Sequence, residues 1–105
     1  MNITTNMTVA QTILRQLGGN KFIAMTGAKD MAGDSKTLSF RFPNRKGPNN
    51  CRITLNSLDL YDVEFYRIRK KNGIPQPFIT SQHRGIYNDQ LQTIFTQETG
   101  LYTSL

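Results

Sequence analysis

LYDVEFYRIRKKNGIPQPFIT, residues 60–80, reads as one long β-hairpin with a strongly basic tip. Asn72-Gly73 is the turn, because a two-residue loop that twists with its strands needs φ > 0 at both positions and Asn-Gly supplies it at least cost. The hairpin then closes between Lys71 and Ile74. Tyr61, Val63 and Phe65 share one face of the approach strand, and Asp62, Glu64 and Tyr66 the other. Ile68 departs from the parity set by Phe65, for which a bulge near Tyr66 is the economical explanation. On the return strand Pro75 and Pro77 are two apart, so both missing N–H groups lie on one side, away from the hairpin partner. That makes residues 74–80 an edge strand blunted against further pairing.

Working outward, CRITL (51–55) alternates with Ile53 and Leu55 inward and Arg52 and Thr54 outward. TLSFRFP (37–43) does the same, with Leu38, Phe40 and Phe42 toward a core and Ser39 and Arg41 toward solvent, until Pro43 stops the ladder. NRKGPNN (44–50) is a polar connection. KFIAMTG (21–27) is apolar on both sides and reads as a central strand, followed by a loop over 27–36. A helix over 9–17 is expected, with Thr8 as N-cap, Gln11 completing a capping box, and Gly18-Gly19 as its stop. Its face of Val9, Ile13, Leu14 and Leu17 suits packing on a sheet. A second helix is expected over 89–99, capped by Asn88 and ended by Gly100, with Leu91, Ile94 and Phe95 on its apolar face. The last residues, LYTSL, are expected to pack back on the core. The fold class is α+β: an antiparallel meander sheet of about five strands flanked by an N-terminal and a C-terminal helix. Residues 1–8 are expected to be a flexible N-terminal arm and residues 9–105 a single α+β domain.

The 105 residues suit one domain, and 13 Lys and Arg against seven Asp and Glu leave a net charge of +6. A field of that sign attracts polyanions. One cysteine, Cys51, precludes an intrachain disulfide, and one histidine, His83, leaves no Cys/His cluster for zinc. No cofactor and no metal are expected. The first residues carry neither a basic start nor an apolar core, so no signal peptide is read there, and no apolar run reaches membrane-spanning length. A cytoplasmic protein with no membrane association is expected. The triplets at Asn2 and Asn6 are read as chance in an Asn/Thr-rich segment rather than as glycosylation sites.

Three constellations have chemical potential. Asp59, Asp62 and Glu64 form an acidic cluster of the kind that holds a cation in metal-dependent nucleases, but the nearby catalytic lysine on the same strand that would strengthen that reading is absent, and cross-strand pairing with Arg41, Arg52 or Arg67 is the plainer account of them. Cys51 would be a nucleophile only with His83 beside it, and a lone Cys opening a strand is ordinarily a small buried hydrophobe. The third is cationic. Arg41, Arg52 and either Arg67 or Arg69 come from consecutive strands and would form a positive stripe, extended by Arg45 and Lys46 in the loop and by Lys70 and Lys71 at the tip. Tyr66 would stand among them as a stacking platform for an unstacked base. The bland alternative is that these arginines are solvated or paired and Tyr66 covers the sheet.

GNKFIAMTGAKD (19–30), RITLNSLDLYDVEFYRIR (52–69) and GIYNDQLQTIFTQETGLYTSL (85–105) resemble a small family of uncharacterised proteins encoded in bacteriophages and prophage-like mobile elements, over nearly all of residues 9–105. The resemblance implies a bacterial or phage origin and an accessory role, and it brings neither an activity nor site residues. Together with the cations it leads to the expectation of a non-enzymatic nucleic-acid-binding accessory protein in the bacterial host cytoplasm. Two alternatives stay open. One is an anti-defence inhibitor that docks its basic face on an acidic host protein. The other is a minor virion structural protein, which would need self-association that a blunted edge opposes.

Overall fold

Five antiparallel strands lie side by side in chain order in the computed structural model, which describes residues 3–45 and 47–103, the first five of these as backbone alone. They are β1 (Lys29–Gly33), β2 (Thr37–Arg41), β3 (Asn50–Leu55), β4 (Tyr61–Lys71) and β5 (Ile74–Ile86). Two helices precede them, α1 (Ile3–Leu17) and α2 (Asn20–Thr26), and a short 3-10 turn (Asn88–Gln90) leads into α3 (Leu91–Thr99). The expected α+β meander is therefore the observed fold.

The side-chain alternation places the helices. Leu38, Phe40, Cys51, Ile53, Tyr61, Val63 and Phe65 are buried, whereas Arg41, Arg52, Glu64 and Tyr66 are not. All three helices thus cover the same face of the sheet and leave the other bare. From α1 come Ala10, Ile13 and Leu17, from α2 Phe22, and from α3 Leu91 and Phe95. Phe95 is the hub of this core, its ring centroid lying 5.1 Å from Phe22, 5.1 Å from Phe42, 6.1 Å from Phe40 and 6.2 Å from Phe65.

Several sequence expectations require correction. Residues 21–26 belong to the helix α2, closed by Gly27, and not to a strand. Phe22 and Thr26, one turn apart, are its buried residues, and the Thr26 hydroxyl donates to the Phe22 carbonyl at 2.7 Å. A short apolar run between glycines fits either period, and here the glycine at each end decides. Gly27 takes φ 72° and its N–H donates to the Ile23 carbonyl at 2.9 Å, a left-handed helix stop. A Cβ on Gly27 would come within 3.0 Å of Pro43. The first strand lies instead in the segment expected to be a loop, where β1 pairs with β2 through Ala32–Ser39 and Gly33–Leu38 and is disrupted at Asp30, with φ 55°.

The first helix begins at Ile3, upstream of the expected start, so Thr8 is an interior residue whose carbonyl accepts the Thr12 hydroxyl, and the expected flexible arm is helical from Ile3 onward. At α3 the chain enters through Tyr87 rather than an Asn88 cap, and the Gln90 side chain accepts the Tyr87 N–H at 3.1 Å. Beyond Gly100, Leu101 and Thr103 pack inward while Tyr102 stays exposed.

In the hairpin, Asn72 and Gly73 have φ 55° and 79°, the expected tight turn, with Lys71 paired to Ile74. A two-residue turn makes that flanking pair the hydrogen-bonded one. Lys70–Pro75 and Ile68–Pro77 are then non-hydrogen-bonded pairs, and both proline nitrogens face outward from an edge strand. That strand is longer than expected, running on to Ile86. The register does slip near Tyr66, but the extra residue is Thr80 on β5, since Phe65 pairs with Ser81 and Tyr66 with Ile79. The parity of β4 is unbroken, and Ile68 lies on the Tyr66 face, exposed.

Candidate nucleic-acid interface

β3 ends opposite Tyr66, through the pair Asn50–Tyr66, while β4 and β5 continue for another five residues each. The hairpin therefore leaves the sheet as a two-stranded ribbon roughly 17 Å long at about 3.3 Å per residue. Every residue from Ile68 to Thr80 is exposed. Arg69, Lys70 and Lys71 lie on its β4 strand, and Ile74, Pro75, Gln76, Pro77 and Phe78 on its β5 strand. The Arg69 guanidinium sits 5.6 Å from the Phe78 ring centroid. No Asp or Glu occurs between Phe65 and Asn88, so nothing along the ribbon neutralises its cations in cis.

The ribbon is braced at its root. Arg67 Nη1 donates to the carbonyls of Asn44, at 3.1 Å, and Gly47, at 2.8 Å. The Asn49 N–H donates to the Tyr66 carbonyl at 3.1 Å, and Asn49 Oδ1 accepts the Ile68 N–H at 3.1 Å. The Asn44 amide in turn donates to Pro48 at 2.8 Å and to Thr99, at the end of α3, at 3.4 Å. The loop between β2 and β3 thus ties the ribbon to the body of the protein. Arg45 is exposed on that loop, and Lys46 lies outside the described residues.

The expected stripe across three strands is not what the fold builds. Arg41 and Arg52 do lie on the bare face, but Arg41 is ion-paired with Asp30, and Arg52 Nη1 lies 3.5 Å from Glu64 Oε1. Arg67 and Arg69 fall on the opposite face, because β4 alternates without a bulge. Tyr66 is half-buried, with the Arg52 guanidinium 5.6 Å from its ring centroid, so one side of the expected stacking platform is already covered. A shallow depression on the bare face, lined by Arg52, Asp62, Glu64, Gln82 and Arg84, carries charges of both signs. Unlike Arg41 and Arg52, the ribbon residues Arg69, Lys70 and Lys71 form no ion pair among the described residues.

Asp62 and Glu64 have structural partners. Asp62 Oδ1 accepts the Asn56 amide at 3.2 Å and the Gly85 N–H at 3.1 Å, pinning a second bulge in β5, and Glu64 accepts the Gln82 amide at 2.9 Å. Asp59 occupies the turn before β4 with φ 60°. No group of three or more His, Cys, Asp or Glu among the described residues is placed to hold a metal ion. Cys51 is fully buried opposite Phe65, and burial, with the Glu64 charge adding to it, pushes its thiol pKa far up. His83 is on β5, with β4 intervening, and faces Glu98 of α3 at 3.6 Å. A protonated thiol separated by a strand from the imidazole is not a nucleophile.

Sequence reasoning missed Asn44 and Asn49, which set the ribbon's root, and Phe78, which holds Arg69. Phe78 was within reach, because the Asn-Gly turn fixes Arg67 opposite it. Nothing local marks Asn49, whose part depends on β3 stopping at Asn50. No helix among the described residues is long and apolar enough to cross a membrane. No family model, curated protein or solved structure matches this chain.

Proposed function

We propose that the chain is a non-enzymatic nucleic-acid-binding accessory protein of a bacteriophage or mobile element, acting in the cytoplasm of the bacterial host and holding phosphates with the ribbon. The observation that carries this reading is the projecting, carboxylate-free ribbon, with Arg69, Lys70 and Lys71 exposed at its end. Cations without partners release counterions from a polyanion, and that release supplies most of the free energy of non-specific nucleic-acid binding. Arg67 braces the root, Arg45 stands on the adjoining loop as a further phosphate contact, and Arg41, Arg52 and Tyr66 contribute at most at the margin because Asp30 and Glu64 already engage the two arginines.

Converting Arg69, Lys70 and Lys71 together to Glu is expected to abolish retention of DNA and RNA without altering the circular dichroism spectrum. Each single Arg or Lys→Gln change should flatten the slope of log affinity against log salt by about 0.7 to 0.9. The exposed Ile68, Ile74, Phe78 and Ile79 beside the cations favour a second reading, docking on an acidic host protein. A wild-type chain that binds no nucleic acid in low salt but co-purifies at fixed stoichiometry with one host protein would replace the first reading with the second.

A further inference from the structure

The shape of the ribbon narrows its ligand, on the premise that it binds nucleic acid at all. It is bare on both faces, so it is a convex probe that needs a ligand with a groove. Two strands about 4.8 Å apart, with side chains on both faces, make a body on the order of 10 Å across. The major groove of B-form DNA, about 12 Å wide, admits a two-stranded ribbon, whereas the minor groove, about 6 Å wide, does not. The major groove of A-form RNA is too deep and narrow for side chains to read. A single strand offers no groove and is held by aromatic platforms and channels. The ribbon's aromatic residue is Phe78, already paired with Arg69.

The chemistry is divided along the same lines. The β4 strand of the ribbon supplies the cations, and the β5 strand supplies Ile74 and Phe78, 60% and 44% exposed, with Gln76 between them. A major groove presents that pairing of surfaces: phosphates along its walls, and base edges carrying thymine methyl groups and adenine amino groups on its floor. Pro75 and Pro77 hold the β5 strand extended and leave its outer edge without donors at those positions. We propose that the ribbon enters the major groove of duplex DNA with the face that carries Ile74, Gln76 and Phe78 toward the base edges. Arg69 and Lys71, paired opposite Gln76 and Ile74 on that same face, reach the phosphate wall on the β4 side, and Lys70 adds its charge from the other face.

The full chain is titrated with duplex DNA, single-stranded DNA and double-stranded RNA of one length at one salt concentration. The duplex DNA is expected to bind tightest, by about tenfold or more over the RNA duplex, the scale of a lost set of groove contacts. Methylation of guanine N7, which lies in the major groove, should weaken binding, and a minor-groove ligand should not compete. Ile74→Ser combined with Phe78→Ser, at exposed positions that leave the core intact, should lower duplex affinity without changing the salt slope, because no phosphate contact is lost. Equal or tighter binding to single-stranded DNA or to the RNA duplex overturns the groove placement and leaves nucleic-acid binding standing. Binding to none of the three overturns the nucleic-acid reading itself.

Discussion

Phe95 touches four other phenylalanines, drawn from α2, β2, the segment just after β2, and β4, and is 1% exposed. Among the ring contacts of the described residues, no other ring joins so many separate parts of the chain. Phe95→Ala leaves a cavity that none of these partners can close without giving up edge contacts elsewhere. It should cost about 3 to 5 kcal/mol, measured as a lower urea midpoint at unchanged slope. A loss below about 1 kcal/mol would mean that the cluster repacks around the gap. This residue was legible in the sequence as part of an apolar helix face, but its centrality was not. Position 95 reads like Leu91 and Ile94 until the sheet brings Phe40 and Phe65, and α2 brings Phe22, against it.

Among the elements, the hairpin was the most legible because its turn is written in two residues and its register follows by counting. The pair α2 and β1 was the least legible, and for opposite reasons. KFIAMT is apolar enough to satisfy either period, so only the flanking glycines and the Thr26 back-bond distinguish a helix. KDMAG has too little apolar surface to announce a strand, and Asp30 interrupts its ladder with a positive φ. The cationic site was legible as composition but not as placement, since sequence parity could not show that Arg67 faces the loop while Arg52 faces Glu64. The prolines of β5 carry their own test. Replacing Pro75 and Pro77 with Thr restores two donors on the free edge of a long strand, and the variant should self-associate more than the parent in analytical ultracentrifugation. Identical sedimentation would show that the charges alone keep the edge unpaired.

At the scale of the molecule, the described residues divide into a body that holds all of their buried apolar side chains and a ribbon that holds none of them. The two can be separated by design. Deleting Lys70, Lys71, Ile74 and Pro75 brings Arg69 and Gln76, themselves a hydrogen-bonded pair by the spacing from Lys71–Ile74, directly to either side of Asn72-Gly73. The shortened chain should keep the thermal midpoint of the parent within a few degrees, on the order of the shift from a change below 1 kcal/mol, while losing affinity for nucleic acid. A collapse of the midpoint would show that the ribbon's end supports the core after all.

The turn at Asn72-Gly73 also marks where the backbone can be opened. It is an exposed tip next to Lys70 and Lys71, the sort of place where proteases nick folded chains and where insertions are accepted. A cut there separates residues 1–71 from 72–105, yet β5 stays laddered to β4 down to Tyr61, and Leu91 and Phe95 stay seated in the core supplied by the first fragment. The fold is thus a two-piece assembly joined at one removable link, so the halves are suited to reconstitution from separate peptides and the tip to carrying a guest sequence.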